Sequence, residues 1–287
     1  MDAPGVHACG GAAGAGPQAA AMSLVALDLD GTLLDHHGRL PPGHHHAVAG
    51  LRRLGMRVAI VTGRPLLTAR AIHRDLGLDT PISCFNGGWT GWIDGRSLWA
   101  AWLPASSVRA TVAAVAGIEA SVCAYPDADT WMMDRVVDHT RGWAERYGCR
   151  IRIDAGAFAA WDRPTLKLMV PAAPALIPGL LLRLRDRLGT GCEIVASQDD
   201  RIEIMPAGIT KAVGLARLAA HYRVPRSEVW AAGDADNDLE MVRWAGHGCI
   251  MGGATPRLRA VARHRLPSAG ERGLCALLPL VEAHGAG

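Results

Sequence analysis

One run constrains this chain more than any other: Leu24-Val25-Ala26-Leu27-Asp28-Leu29-Asp30-Gly31-Thr32-Leu33-Leu34. Its uncharged start reads as a buried strand, and the switch to Asp-x-Asp-Gly-Thr marks the strand's carboxyl end. Strand side chains alternate, so residues two apart point to the same side, which places Asp28 and Asp30 together. In an open α/β sheet this is the end where ligands bind. Two neighbouring carboxylates repel unless a cation or a shared proton relieves them. The run therefore calls for a metal or for an acid/base pair.

The flanking pattern says which sheet this strand belongs to. Short apolar strands recur at 57–61, ending in Thr62-Gly63-Arg64, and at 81–85, ending in Asn86-Gly87-Gly88. Between them, helical spacing runs over 44–54 and again through Leu66, Ala69, Ile72 and Leu76, with Pro65 suited to the first helical position. Strand and helix in alternation predict an α/β fold with a Rossmann-like, doubly wound parallel sheet. From Trp89 the pattern becomes mixed: strands at 98–103, 119–124, 130–133, 165–170 and 192–196, and helices at 105–116, 138–147 and 175–188. Seven of the nine tryptophans fall in this stretch. It reads as an inserted α+β cap domain over 87–197, between core segments 22–86 and 198–287. The parallel pattern is expected to resume with a strand at 202–204, a helix at 210–221 and an apolar strand at 228–232 that ends in Gly233-Asp234-Ala235-Asp236-Asn237-Asp238. A helix through Met241, a strand at 247–251, a helix from Pro256 and a last helix at 271–283 complete it, with no internal repeat.

Composition removes several function classes. The net charge is +3 over 287 residues and no Lys/Arg block forms, which argues against a nucleic-acid partner. No apolar run approaches the ~20 residues of a membrane helix, so no membrane partner is expected. Seven scattered cysteines, odd in number and never in Cys-x-x-Cys, argue against a disulfide framework and a zinc knuckle. A reducing, cytoplasmic setting is expected. Residues 1–21 are Ala/Gly-rich without the features of a signal peptide, and read as a disordered tail, with Met22 as an alternative start. Nearly all basic residues are Arg; the two lysines, Lys167 and Lys211, stand out against that bias.

Four segments that end strands or start a helix carry polar groups toward one rim: Asp28/Asp30, Thr62/Gly63, Lys211, and Asp234/Asn237/Asp238. Carboxylates, one ammonium, one hydroxyl and a glycine N–H together suit a phosphate with Mg²⁺. On these residues the chain resembles the haloacid dehalogenase superfamily phosphatases, and within them the Cof-type group with a large C2-type α/β cap. Asp28-Leu29-Asp30-Gly31-Thr32-Leu33-Leu34, Val61-Thr62-Gly63-Arg64, Gly208-Ile209-Thr210-Lys211 and Gly233-Asp234-Ala235-Asp236-Asn237-Asp238-Leu239-Glu240-Met241 are similar to the family's four motifs, in order. Phe85-Asn86-Gly87-Gly88 resembles the approach to the cap. One departure stands out: the family often has Met-Gly-Asn-Ala after its fourth motif, and here the run is Met251-Gly252-Gly253-Ala254.

The resemblance implies Mg²⁺-dependent hydrolysis of a small phosphate monoester, a sugar phosphate or related metabolite, through an aspartyl-phosphate. Asp28 is then the nucleophile and Asp30 the acid and later the base. Leu29, Thr62, Gly63 and Asn237 hold the phosphate, and Lys211 neutralises its developing charge. Asp28, the Asp30 carbonyl and Asp234 hold the metal, with Asp238 supporting or joining them. A phosphotransferase or mutase on the same scaffold stays open; a non-catalytic sensor would need a lost catalytic residue. Arg64, Asn86, Trp89 and Lys167 are candidate substrate or cap contacts. For Arg64 the rival is an ion pair, for Asn86 a plain turn, for Trp89 core packing, and for Lys167 a solvated strand face. The histidines His36, His37, His44, His45 and His46 lack the partner cysteines or carboxylates that a metal site needs.

Overall fold

The computed structural model describes residues 23–285, and the tail expected over 1–21 lies outside them. Its strands are β1 (Leu24–Leu27), β2 (Arg57–Ile60), β3 (Ile82–Cys84), β4 (Trp89–Gly91), β5 (Ser97–Ala100), β6 (Cys123–Ala124), β7 (Trp131–Met133), β8 (Ile151–Ile153), β9 (Leu168–Pro171), β10 (Cys192–Gln198), β11 (Arg201–Pro206), β12 (Val229–Gly233), β13 (His247–Ile250) and β14 (His264–Arg265). Five of them form one parallel sheet in the order β14-β13-β12-β1-β2. Every residue of β1 and β12 is buried, as a strand covered on both faces requires. Val25 and Leu27 pack with Val48, Leu51, Leu277 and Val281 of helices Pro42–Arg53 and Leu277–Gly285. Leu24 and Ala26 turn the other way, onto Leu215, Leu218 and Met241 of helices Lys211–Tyr222 and Leu239–Trp244. Alternation along a strand thus builds the two helical layers of the doubly wound core.

β3 joins this layer through a single parallel bridge, Val61 to Ser83, and then pairs antiparallel with β4, which pairs with β5. The three-stranded sheet lies against helix Lys211–Tyr222 at close range. A Cβ added at Gly214 would fall 2.0 Å from Ser83 Oγ and 3.0 Å from the Gly87 Cα. Gly214→Ala is expected to cost about 1–3 kcal/mol through this overlap, read as a drop in melting temperature; a melt equal to that of the parent would show that the helix has room to withdraw.

The other six strands form the sheet β10-β11-β9-β6-β7-β8, antiparallel except between β7 and β8. One face, with Ala124, Leu168, Val170, Ile202 and Ile204, packs with residues of helices Ala105–Val115 and Ile177–Leu188. The opposite face brings Tyr125, Trp131, Met169 and Met205 into the same apolar cluster as Phe85, Trp89 and the core.

The strand expected at 202–204 as the return of the parallel layer is corrected here. It is β11, antiparallel to both β9 and β10, so the parallel layer resumes after Pro206 rather than at 198. The physical signal is Arg201-Ile202-Glu203-Ile204, in which charged and apolar residues alternate, whereas β1 and β12 of the parallel layer run continuously apolar. The helix expected at 138–147 is a 3-10 turn, Asp138–Thr140, and a single helical turn, Trp143–Tyr147. Gly142 and Gly148, both in the left-handed region, bound that turn. Among the described residues no helix is long and apolar enough to cross a membrane, and the six cysteines found there are free.

Candidate active site

β1 and β12 are adjacent and parallel, so their carboxyl ends deliver Asp28 and the Asp234–Asp238 loop to the same place. Helix Lys211–Tyr222 begins there, and its first residue is 1% exposed. Lys211 Nζ donates to Asp28 Oδ1 at 2.6 Å and to Asp238 Oδ1 at 2.6 Å. The second oxygen of Asp238 accepts from the backbone N–H of Asp234 and of Ala235, both at 3.0 Å. Asp238 is thus fully engaged: it fixes the ammonium on one side and the loop on the other. Thr32 Oγ1 donates to Asp234 Oδ1 at 3.3 Å.

Asp28, Asp234 and Asp238 each place a carboxylate oxygen within 4.8 Å of the others. Burial, and next the Asp238 charge, push Asp28 up to about 8, against the pull of Lys211. Burial and then Asp238 push Asp234 up to about 6. Burial alone would lower Lys211, but the carboxylates of Asp238 and Asp28 hold it above its ordinary value. The cluster carries more negative charge than its one ammonium offsets. An all-carboxylate oxygen set with surplus charge fits a hard divalent cation. Gly31 keeps the approach open: it sits at φ +82, and a Cβ there would lie 2.2 Å from Asp234 Oδ2.

Asp30 points elsewhere. It is exposed and forms a two-pronged pair with Arg64: Nε donates to Oδ2 at 2.8 Å, and the second guanidinium nitrogen donates to Oδ1. Thr62 is buried, and its hydroxyl accepts from the Arg64 N–H at 3.1 Å. Asn86 reaches across this turn: a Cβ on Gly63 would lie 2.9 Å from its Oδ1, and that oxygen accepts from Asn237 Nδ2 at 3.1 Å. Phe85 and Asn86 both adopt positive φ, 53° and 52°. Asn tolerates this and Phe does not without strain, roughly 1–2 kcal/mol. Strain of this kind collects where structure serves a site.

Trp89 is buried in the apolar cluster with Phe85 and Met205, as core packing requires. Trp92 stands edge-on to His221. Lys167 is 4% exposed and pairs with Glu203 at 2.6 Å, so the solvated strand face does not hold. The sequence does not single out Glu203, Tyr125 or Tyr147; only the alternation around Glu203 marks its face. Among the histidines, His44 is buried between the Leu33 carbonyl and the Leu274 N–H, while His45 and His46 bond to main-chain carbonyls.

A family model described as haloacid dehalogenase-like hydrolase matches residues 25–278. The chain is 28% identical over 266 residues to the 5-amino-6-(5-phospho-D-ribitylamino)uracil phosphatase YitU of Bacillus subtilis, covering 89% of this chain and 96% of that protein. It is 31% identical over 243 residues to the HMP-PP phosphatase of Escherichia fergusonii, covering 84% and 88%. Its fold is similar to that of a haloacid dehalogenase-like hydrolase from Bacteroides thetaiotaomicron, with a TM-score of 0.82 at 24% identity, over 91% of this chain and 99% of that one. With four motifs, the fold and both kinds of likeness in agreement, the chain belongs to the haloacid dehalogenase-like hydrolase family, in its Cof-type phosphatase group.

Proposed function

We propose that the protein hydrolyses a small-molecule phosphate monoester in two steps through an aspartyl-phosphate at Asp28, with Mg²⁺ as the divalent ion. The observation that carries this is the buried Lys211 ammonium shared by Asp28 and Asp238 beside Asp234. Asp28, Asp234 and the Asp30 carbonyl would hold the ion, with Asp238 supporting them; bound there, it offsets the negative charge of carboxylates and phosphate. Asp28 attacks phosphorus, the bond to the leaving oxygen breaks, and Asp30 gives that oxygen its proton. Water then attacks the same phosphorus, Asp30 takes the water's proton, and Asp28 is released with free phosphate. Lys211 faces the phosphoryl group from the side of Asp28, and Thr62, the Gly63 N–H, the Leu29 backbone and Asn237 hold its oxygens. Asp30 serves only once Arg64 lets it go, so Arg64 exchanges its partner when the ester is seated. Both named relatives are phosphatases of small phosphorylated compounds, which supports the same substrate class here.

Purified protein with Mg²⁺ should release phosphate from p-nitrophenyl phosphate and from sugar phosphates. Formation of an isomeric phosphosugar without phosphate release would identify a mutase instead.

The raised carboxylates give a pH dependence with a definite sign. Without metal, Asp234 holds its proton up to about pH 6 and Asp28 up to about pH 8. Mg²⁺ competes with those protons, so its affinity rises with pH across that window. The gain in melting temperature on adding Mg²⁺ should be larger above pH 8 than below pH 6; an equal gain at both would mean that these carboxylates do not ligate.

A further inference from the structure

At the amino end of the parallel sheet, away from the catalytic rim, three histidines gather around one tryptophan. His247, at the start of β13, is the register partner of Trp230 in β12, and their rings stack at 4.1 Å and 12°. His264 of β14 stacks on the same tryptophan at 5.4 Å, and His284 of the last helix stands across His247 at 4.3 Å. Along β12, Asp234 lies four residues beyond Trp230, roughly 13 Å at strand spacing. This place is therefore separate from the carboxylate cluster.

A cavity of about 460 Å³ opens beside the imidazoles. Arg226, Arg243 and Arg263 line it with His247 and His284, and among the described residues Glu228 is the one carboxylate there. The charges do not balance. Glu228 is already engaged: it accepts from the Ser23 hydroxyl at 3.1 Å and faces His284 Nε2 at 3.6 Å. Arg243 pairs with Glu240 at 3.0 Å. Arg226 donates to the main-chain carbonyls of Trp244 and Arg243, which occupies its N–H groups without neutralising its charge.

Among the described residues, neither Arg226 nor Arg263 has a carboxylate partner, and the exposed Arg263 guanidinium makes no hydrogen bond. The field around His247 has the same sign. Burial, and then the charges of His284, His264 and Arg263, hold it below its ordinary value. Surplus positive charge around a concavity, with guanidinium and imidazole N–H donors, matches the oxygens of a multivalent anion.

We infer that this cavity is a second anion site, holding a small oxyanion of two or more negative charges, a phosphate group or a polycarboxylate, against Arg263, Arg226 and the imidazoles of His247 and His284. The site is independent of the reaction proposed above and shares no residue with it.

The test is calorimetric titration of the metal-free protein in EDTA at constant ionic strength, with inorganic phosphate in one arm and citrate in the other. Without metal, the surplus negative charge of Asp28, Asp234 and Asp238 repels both anions from the catalytic rim. One site should fill with a Kd at or below about 1 mM. Arg263→Glu should melt with the parent, because that side chain holds nothing in the fold, and should weaken binding by at least about tenfold. Should that variant melt early, Arg263→Gln removes the charge without reversing it, and its affinity should fall between the two. Binding of phosphate alone identifies a phosphate group as the ligand, binding of citrate alone a carboxylate ligand, and binding of both a site for multivalent charge in general. If neither anion binds, or if the folded Arg263 variant binds as tightly as the parent, the site is overturned.

Discussion

Asp28→Asn should abolish phosphate release, by at least about 10⁴-fold in kcat, and yet leave a folded protein. The activity loss follows because no other carboxylate takes its place: Asp238 is saturated by three donors and Asp30 is turned to Arg64. The retained fold follows from the electrostatics. Burial and Asp238 raise Asp28 to about 8, so its ionised form is a cost to the metal-free structure. The sign is opposite to that of an ordinary salt-bridged aspartate: the stabilising form is the protonated one, and its contribution is lost as pH rises through the folded value. Without metal, Asp28→Asn should therefore melt at or above the parent temperature once the pH exceeds 8. An Asp28→Asn variant within tenfold of parent activity would remove Asp28 from the chemistry.

Lys211→Met should have the largest effect on stability. The substitution leaves the Asp28 and Asp238 carboxylates facing each other in a buried site with no cation between them. Removing one partner from such a site typically costs about 3–5 kcal/mol. The loss depends on pH because Asp28 escapes it by taking a proton. The deficit should already be present near pH 6, where buried Asp238 loses its cation, grow as pH rises past 8, where Asp28 ionises in the parent, and shrink when Mg²⁺ is added. Activity should fall by roughly 10²–10³, as for loss of one preorganised charge at a transferring group. Denaturant melts at two pH values with and without Mg²⁺ separate these effects. A variant as stable as the parent above pH 8 would mean that Lys211 is not the counter-charge it resembles.

The core is legible in the sequence because its signals are local. An apolar run that ends in Asp28-Leu29-Asp30 states both the strand and the end of it that matters, and parallel pairing then gathers Asp234 and Lys211 without any further instruction. The mixed sheet is legible only in part. β11 reads as a parallel strand when its position after a long insertion is weighed above the alternation of Ile202, Glu203 and Ile204. β8 and the turn at Ala155–Ala159 are too short to leave a periodic trace. Side-chain partnerships between distant strands leave none at all. Nothing near Lys167 announces Glu203, and nothing near Asp30 chooses Arg64 over a metal or solvent. The left-handed pair Phe85-Asn86 shows in the sequence only as an Asn-Gly turn, whereas its use is to stretch Asn86 between Gly63 and Asn237.

The central claim is that the Asp28 carboxylate itself takes the phosphoryl group. It is tested most directly by quenching the enzyme in acid during turnover of p-nitrophenyl phosphate with Mg²⁺, reducing with borohydride, and sequencing the peptides by mass spectrometry. Homoserine at position 28, absent without substrate and absent from Asp28→Asn, is the result expected. Steady phosphate release with an unmodified Asp28, or reduction at another carboxylate, would contradict it.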